Sequence, residues 1–252
     1  MNLRHTLRKS PLIRQLYFRT WLFRYLGARL SSKKSFSQAD EDLKIEELIG
    51  PVNWFVDIGA HDGISGSNTL YFALRGAHGL CFEPVRETYT KLYWLHLLNP
   101  RVRTVRCGIS DLNREATMIA ADFLSRLPET EDAAHTEVSA LHESMHQKVV
   151  MRRFEDAIQD LNLPAQCDLL SIDVEGHELN VLKSIDFAQH NFRAVVIETH
   201  LTDTEGHSKW CHRDLEEIES LLSKFNYRAA HRTWVNTIYL YAGSGPAKSI
   251  SA

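Results

Sequence analysis

The most constraining feature of this 252-residue chain is a short apolar segment that runs into glycines, with the sequence WFVDIGAHDG. Trp54–Ile58 predicts a β-strand. Gly59 and Gly63 predict a turn, because glycine adopts positive φ and lets a ligand approach the backbone closely. A second apolar segment follows and ends at Glu83. This layout is typical of a nucleotide-type cofactor site at the carboxyl edge of a parallel sheet.

The glycine spacing and the acids narrow the class of cofactor. A dinucleotide fingerprint, G-x-G-x-x-G, cradles a pyrophosphate, but His61 stands where its middle glycine would be. Asp57 and Asp62 add carboxylates, which repel phosphate and suit an adenosine that carries a cationic side chain. Glu83 is placed to accept hydrogen bonds from two ribose hydroxyls. S-adenosylmethionine therefore fits better than NAD, and a strand–turn–helix without any ligand is the alternative.

Charge is distributed unevenly along the chain. Nine of the 29 Lys and Arg residues fall in residues 1–36, which contain none of the 32 Asp and Glu residues. A basic arm thus precedes an acidic body, and the body is not expected to bind nucleic acid electrostatically. Residues 11–30 mix arginines with aromatic and aliphatic side chains. This pattern suits a helix on an anionic membrane surface, or a helix docked on the domain or on a partner subunit.

Three further observations bear on cellular location. No run of about eighteen apolar residues exists, so no membrane-spanning helix is expected. The first thirty residues lack an apolar core and a small-residue cleavage site, which argues against a signal peptide. The cysteines are far apart and form no C-x-x-C pair, which favours buried free thiols. We expect a cytoplasmic protein, with membrane association through the basic arm as an option.

Strand and helix patterns alternate along the body, and the predicted helices include Gln38–Ile49, Asn68–Arg75 and an amphipathic His212–Phe225. This alternation predicts a parallel, helix-covered sheet. Residues 37–242 form the predicted domain, residues 121–147 a polar insertion or lid, and residues 243–252 a disordered tail. The predicted strands are Trp54–Ile58, Gly79–Phe82, Val102–Cys107, Glu115–Ala120, an edge strand at Val149–Arg153, Asp168–Ile172, Ala194–Ile197, and a terminal antiparallel pair at Arg228–Ala230 and Thr237–Tyr241.

A second group of ionisable residues follows two later strands. Asp173 comes directly after a predicted strand, at the same sheet edge as the acids of the first two strands. Glu175 lies in the next turn and His177 begins a helix. Glu198 and His200 follow in the same way at the end of another strand. We expect Asp173 and Glu175 to be functional, with helix capping as the alternative role. For the two histidines, the alternative is a surface imidazole.

Together these segments resemble the FkbM family of S-adenosylmethionine-dependent methyltransferases. The resemblance covers about residues 37–241, and its most specific part is the Asp-Val-Glu-Gly-x-Glu segment. The residues that carry it are Ser37-Gln38-x-x-Glu41-Asp42, Val56-Asp57-Ile58-Gly59-Ala60-x-Asp62-Gly63, Ser67-Asn68-Thr69, Glu83-Pro84, Ile109-Ser110-Asp111 and Ser171-Ile172-Asp173-Val174-Glu175-Gly176-x-Glu178-x-x-Val181-Leu182-Lys183.

The resemblance implies a fold, a reaction and a set of site residues. The fold is the Rossmann-like class I methyltransferase fold, an α/β architecture with a mostly parallel seven-stranded sheet, helices on both faces and an antiparallel terminal strand. The reaction is O-methylation of a hydroxyl on a sugar, glycolipid or other small molecule. By position, Asp57, Gly59, Ala60 and Gly63 line the methionine and ribose part of the cofactor, Glu83 holds the ribose, Ser110 and Asp111 lie near the adenine, and Asp173 lies by the transferred methyl.

The implied mechanism is an in-line displacement in which positioning of the reactants dominates. A general base would assist loss of the hydroxyl proton. Asp173 or His200 is the candidate base, with Glu175 orienting the acceptor or the base. Two other functions are weighed: a non-catalytic protein that uses the sheet for interaction, and a nicotinamide-dependent dehydrogenase. The glycine turn, Glu83 and Asp173 together favour the enzyme.

No metal site is assigned from the sequence. His135, His142 and His146 are spaced so that they would share one face of a helix, which could in principle hold a metal. Histidines in a polar insertion are more simply explained as solvated side chains. Residues 121–147 align with no part of the family, so the acceptor is not specified by them.

Overall fold

The computed structural model describes residues 34–119, 146–199 and 214–243, together with Gly27. Most of the basic arm, most of the insertion, the segment that holds His200, and nearly all of the tail lie outside the described residues. The strands in chain order are β1 (Trp54–Ile58), β2 (His78–Phe82), β3 (Val102–Val105), β4 (Gly108–Ile109), β5 (Arg114–Ile119), β6 (His146–Arg152), β7 (Gln166–Ile172), β8 (Asn191–Glu198), β9 (Tyr227–Arg232) and β10 (Asn236–Tyr241).

The helices of the described residues are mostly short, and all but the first lie between these strands. Three precede the small second sheet and three follow it. They are α1 (Glu41–Ile49), α2 (Leu70–Leu74), α3 (Arg86–His96), α4 (Phe154–Ile158), α5 (Glu178–Lys183) and α6 (Leu215–Lys224).

The main sheet has seven strands in the order β3-β2-β1-β7-β8-β10-β9. The strands from β3 to β8 pair in parallel, and β10 pairs antiparallel with both β8 and β9. The predicted mostly parallel seven-stranded sheet with an antiparallel terminal strand is therefore confirmed. Strand β1 matches its predicted bounds, because its apolar run is bounded by Pro51 and Asn53 on one side and Gly59 on the other.

Both faces of the main sheet are covered. Val56 and Ile58 of β1 belong to a core cluster that also contains buried residues of α4, α5 and α6. Phe55 alternates with them to the opposite face and is also fully buried. On helix α6, Ile218 and Leu222 lie one turn apart and are buried, as the amphipathic pattern predicts.

A separate three-stranded sheet has the order β4-β6-β5. The prediction of an edge strand at Val149–Arg153 is wrong, because β6 is the central strand, parallel to β4 and antiparallel to β5. The strand predicted at Val102–Cys107 ends two residues earlier, at Val105, as β3 of the main sheet. The short strand β4 that follows it was not predicted, and it joins the small sheet. Side-chain alternation predicted β6 as a strand, but it carries no information about its partners.

The acids of the Ser-Gln-x-x-Glu-Asp segment hold the domain together. Glu41 is fully buried and accepts hydrogen bonds from Asn236 Nδ2 at 2.9 Å and Thr233 Oγ1 at 2.8 Å. Asp42 is also fully buried and accepts a hydrogen bond from the Phe36 amide at 2.7 Å. These contacts tie the start of the domain to the β9–β10 turn, so the two carboxylates have a structural role.

Cys81, Cys107 and Cys167 are buried free thiols, as expected for the three cysteines that the structure describes. Burial raises the pKa of the Cys107 thiol to about 11 and that of Cys167 to about 12, so both stay protonated at neutral pH. Among the helices that the structure describes, none combines the length and the apolar character needed to cross a bilayer.

Candidate functional site

Four acidic residues come together where the central parallel strands end. Asp57 lies near the end of β1, Glu83 follows β2, Asp173 follows β7 and Glu198 ends β8. Because these strands are parallel and adjacent, their carboxyl ends form one edge of the sheet. The four residues line a cleft of about 460 Å³, together with Gly59, Ala60 and Glu175. The structure thus brings most of the sequence-predicted site residues into one cleft.

The turn after β1 requires glycine at its first position. Gly59 has a φ of 87°, and its amide donates a hydrogen bond to the Phe82 carbonyl at 3.0 Å. A Cβ at this position would lie 1.7 Å from the carbonyl oxygen of Asp173. Gly59 therefore lets the ends of β1 and β7 come into contact. His61, where a dinucleotide fingerprint has glycine, also adopts positive φ, at 49°.

Gly63 faces the helix that follows β2. Its φ is 76°, and a Cβ would lie 2.6 Å from Leu95 and 2.8 Å from Leu92 of α3. Asp62 holds the loop before it, since one carboxylate oxygen accepts from the amides of Ile64 at 2.9 Å and Ser65 at 2.8 Å. Although burial acts in the opposite direction, contacts with His61 and these amides hold the pKa of Asp62 below its usual value. Gly63 and Asp62 shape the turn that carries the cleft residues.

The carboxylate of Glu83 is held in one orientation. Its Oε1 accepts hydrogen bonds from the Val85 amide and the Thr88 hydroxyl, both at 2.8 Å, and its Oε2 accepts from the His61 amide at 3.1 Å. Glu83 is only 5% exposed, and burial raises its pKa despite these donors. A carboxylate oxygen accepts more than one hydrogen bond. Oε2 therefore keeps acceptor capacity on a side chain that lines the cleft.

Asp57 lies below the glycine turn and accepts a hydrogen bond from Thr69 Oγ1 at 2.5 Å. Burial raises the pKa of Asp57 to about 7 despite this hydrogen bond, and the negative charges of Asp173 and Glu83 add to the rise. In the ligand-free protein Asp57 is thus close to half-protonated at neutral pH. A cationic ligand would favour its charged form.

Asp173 and Glu198 form a carboxyl pair at the ends of β7 and β8. Burial raises the pKa of Glu198 well above its usual value, and the negative charges of Asp173 and Glu175 act in the same direction. Burial also raises the pKa of Asp173, while a hydrogen bond from Glu198 opposes the rise. Their hydrogen bond raises the pKa of Glu198 and lowers that of Asp173, so Glu198 is the donor and Asp173 the acceptor.

Glu175 occupies a constrained turn directly after Asp173. Its φ is 56° in the left-handed region, and the next residue, Gly176, has a φ of 94°. Glu178 at the start of α5 accepts hydrogen bonds from the Val174 and Gly176 amides, both at 3.1 Å. This contact fixes the turn in a conformation that non-glycine residues rarely adopt. Glu175 lines the cleft as a result.

Ser110 and Asp111 connect to the cleft through His177. The Ser110 hydroxyl donates to Asp111 Oδ1 at 3.0 Å and contacts His177 Nε2 at 2.9 Å. A hydroxyl has one proton, so Nε2 of His177 must be the donor in that contact. His177 lines the cleft, whereas Ser110 is fully buried behind it. His200, the other candidate base, lies outside the described residues.

Several polar residues line the cleft although the sequence assigned them no role. Asp40 adopts a left-handed conformation with a φ of 59°, so α1 begins at Glu41 and the predicted start at Gln38 is wrong. Gln38 stays outside the helix and lines the cleft. Four of these cleft residues, Gln38, Ser67, Asn68 and Ser171, belong to the motifs that carry the family resemblance. Nothing in the sequence pointed to Ser65, which also lines the cleft.

The three histidines considered as a metal site cannot all lie on one face of a helix. His146 begins strand β6, so a helical repeat cannot continue to it. His135 and His142 lie outside the described residues. The acidic residues of the cleft form the candidate site that the structure does describe.

The Asp57 pKa predicts how the stability of the ligand-free protein depends on pH. Folded Asp57 keeps its proton up to about pH 7, whereas its ordinary pKa is 3.8, so the folded state binds more protons between these values. The free energy of unfolding should therefore fall as pH rises from about 4 to 7, by at most about 4 kcal/mol from this group. Urea unfolding at several pH values would measure the slope.

The variant Asp57→Asn provides the control for this prediction. It removes the titrating group, so its stability should change less with pH over the same range. An equal slope in the variant and the native protein would contradict the assignment to Asp57.

A seven-stranded sheet in this order, with one antiparallel strand and a cleft at the carboxyl ends of its central strands, defines a class I methyltransferase fold. That fold uses S-adenosylmethionine. A sequence model of the family described as Methyltransferase FkbM domain matches residues 57–229. The match covers more than half of the chain, and the chain belongs to this methyltransferase family. A comparison with curated protein sequences gave no match.

Solved methyltransferase structures resemble the chain at low sequence identity. The methyltransferase FkbM from Methylobacillus flagellatus KT is 19% identical with a TM-score of 0.47, and the alignment covers 76% of this chain and 44% of that one. This chain thus spans less than half of that protein. Precorrin-6y C5,15-methyltransferase from Geobacter metallireducens GS-15 is 10% identical with a TM-score of 0.45, covering 84% and 93%. The O-methyltransferase NcsB1 from neocarzinostatin biosynthesis, in complex with S-adenosylmethionine and 2-hydroxy-5-methyl naphthoic acid, is 11% identical with a TM-score of 0.42, covering 96% and 61%.

Proposed function

We propose that this chain is an S-adenosylmethionine-dependent O-methyltransferase that acts on a hydroxyl of a sugar, glycolipid or other small molecule. The observation that carries the proposal is the composition of the cleft. Among the described residues that line it are five carboxylates, and no Lys or Arg. Such a cleft favours a cofactor with a cationic side chain and disfavours the pyrophosphate of a dinucleotide.

The cleft residues divide into those that would bind the nucleoside and those near the reacting atoms. Glu83 would accept hydrogen bonds from the ribose hydroxyls. Asp57, Gly59 and Ala60 would line the methionine and ribose part. Ser110 and Asp111 would act on the adenine side through His177, with which Ser110 shares a hydrogen bond at 2.9 Å. Gly63 would act indirectly, through the shape of the loop that packs on α3.

When bound, the cofactor supplies a sulfonium methyl for transfer to an oxygen. Asp173, to which Glu198 donates a hydrogen bond, would accept the hydroxyl proton of the methyl acceptor, or His200 would do so. Glu175 would orient the acceptor. We also propose a cytoplasmic location and contact of residues 1–36 with a membrane surface, based on the basic charge of that segment.

Calorimetric titration with S-adenosylhomocysteine and with NAD tests the cofactor class. We expect saturable binding of S-adenosylhomocysteine and none of NAD, because the described residues that line the cleft include five carboxylates and no Lys or Arg. Binding of NAD alone would show that the proposal is wrong. Transfer of labelled methyl groups to a panel of glycans, glycolipids and small alcohols would then distinguish an enzyme from a non-catalytic relative.

Asp173→Ala tests the catalytic assignment. Loss of a general base should slow methyl transfer about a hundredfold, at the lower end of the usual contribution of such a base. Calorimetry on the same variant shows whether S-adenosylhomocysteine still binds. Unchanged transfer at intact cofactor affinity would remove Asp173 from the mechanism.

A further inference from the structure

Three carboxylates converge in the cleft, two from the segment directly after β7 and one from the end of β8. Asp173, Glu175 and Glu198 each place a carboxylate oxygen within 4.8 Å of the others. Two oxygens bound to the same Ca²⁺ at about 2.3–2.6 Å can lie up to about 5 Å apart. The spacing therefore suits three ligands of one hard cation.

A buried amide group that lines the same cleft supplies a second, independent observation. Asn68 lines the same cleft and is 6% exposed. Its Nδ2 donates a hydrogen bond to Ser171 Oγ at 3.3 Å, but its Oδ1 has no hydrogen-bond partner among the described residues. A buried acceptor left without a partner costs about 1–3 kcal/mol. An unsatisfied buried oxygen beside a cleft is explained when a ligand in that cleft contacts it.

The amide and the carboxylates lie at the same part of the sheet edge. Ser171, whose hydroxyl accepts the hydrogen bond from the Asn68 amide, lies in β7, and Asp173 is the first residue after that strand. Asn68, Ser171 and Asp173 all line the cleft. The Asn68 oxygen thus adds a neutral oxygen donor to a set of carboxylates. Carboxylate and amide oxygens are the ligands that Ca²⁺ and Mg²⁺ prefer.

We propose that Asp173, Glu175 and Glu198 bind one divalent cation of the Mg²⁺, Mn²⁺ or Ca²⁺ class, with Asn68 Oδ1 as an additional ligand directly or through water. The donor set contains oxygen only, which suits these hard cations better than zinc or copper. On binding, Glu198 gives up its proton to solvent, and its carboxylate becomes a ligand. The proposal does not depend on the proposed methyl transfer and can be tested without it.

Metal binding by the full chain, purified without a His tag and treated with EDTA, tests the proposal. Titration with Mn²⁺, followed by electron paramagnetic resonance of the free ion and by calorimetry, should show one saturable site. Glu175→Gln and Glu198→Gln should each weaken Mn²⁺ binding at least about tenfold. Glu216→Gln on α6, an exposed position outside the cleft, is the matched control and should bind as the native protein does.

The two glutamate variants differ in how much they can disturb folding. Glu198 is buried, so its replacement can disturb folding, whereas Glu175 is partly exposed in a turn and its variant should keep the native thermal transition. The proposal is overturned if Mg²⁺, Mn²⁺ and Ca²⁺ all fail to bind saturably, or if Mn²⁺ affinity is unchanged in a folded Glu175→Gln variant. A parallel titration with S-adenosylhomocysteine keeps the proposals distinct, because cofactor binding without metal binding rejects only the cation site.

Discussion

Replacement of Gly59 by Ala is expected to prevent formation of the native domain. The added Cβ would lie 1.7 Å from the Asp173 carbonyl oxygen and 2.8 Å from its carbon, both of which are backbone atoms. Backbone cannot move aside as the end of a flexible side chain can, so the ends of β1 and β7 would have to separate. A domain of this size is stable by only about 5–15 kcal/mol. We expect no cooperative thermal transition and no binding of S-adenosylhomocysteine.

Gly50→Ala is the matched control for this experiment. Gly50 also has positive φ, 70°, but a Cβ there would meet no atom within 4 Å. Its φ of 70° and ψ of −152° lie in a region that essentially only glycine adopts, so its variant should lose about 1–3 kcal/mol from backbone strain alone. The comparison separates the backbone clash from the conformational cost. If Gly59→Ala unfolded at the same urea concentration as Gly50→Ala, the contact between β1 and β7 would not have the importance assigned to it.

Replacement of Glu83 by Gln is expected to weaken binding of S-adenosylhomocysteine about a thousandfold. The Glu83 carboxylate accepts from three donors of the protein and has capacity left for the ribose. Glutamine has one acceptor oxygen, so its NH₂ group would face at least one of those donors and turn the side chain out of position. Hydrogen bonds to a charged group are worth about 1.5–3 kcal/mol each. Loss of two corresponds to a change of this order, since 1.4 kcal/mol is tenfold.

Calorimetry would measure the affinity, and circular dichroism would show whether the variant is folded. Glu47→Gln is a suitable control, because Glu47 is exposed and its ion pair with Lys44 lies on the surface. That variant should bind S-adenosylhomocysteine as the native protein does. Native affinity in a folded Glu83→Gln variant would rule out the assignment of Glu83 to the ribose.

The local sequence pattern predicted the bounds of the main-sheet strands accurately and the bounds of the helices less accurately. Strand β1 was predicted at its observed bounds and β2 within one residue, because glycine and proline punctuate both segments. The helix predicted at Asn68–Arg75 is only Leu70–Leu74. The hydroxyl of Ser67 accepts from the Leu70 amide, so the chain before Leu70 is a capping turn. That turn leaves the Asn68 side chain in the cleft.

The grouping of acidic residues at one edge of the sheet could be predicted from the sequence, because it follows from the direction of the strands alone. Asp57, Glu83 and Asp173 each stand at the end of an apolar segment, and parallel neighbouring strands must end on the same side of the sheet. No pairing partner had to be known for that conclusion. The family resemblance added the roles of individual residues, which geometry alone does not supply.

Contacts between distant segments were decided only by the tertiary structure. They include the central position of β6, the position of Gln38 in the cleft, the convergence of Glu198 with Asp173, and the hydrogen bond between Asn68 and Ser171. Short-range patterns record which residues are buried and where the chain turns, because both depend on neighbours within a few positions. Which buried surfaces meet depends on the packing energy of the whole domain, and the assembly of the cleft from loops follows from that packing.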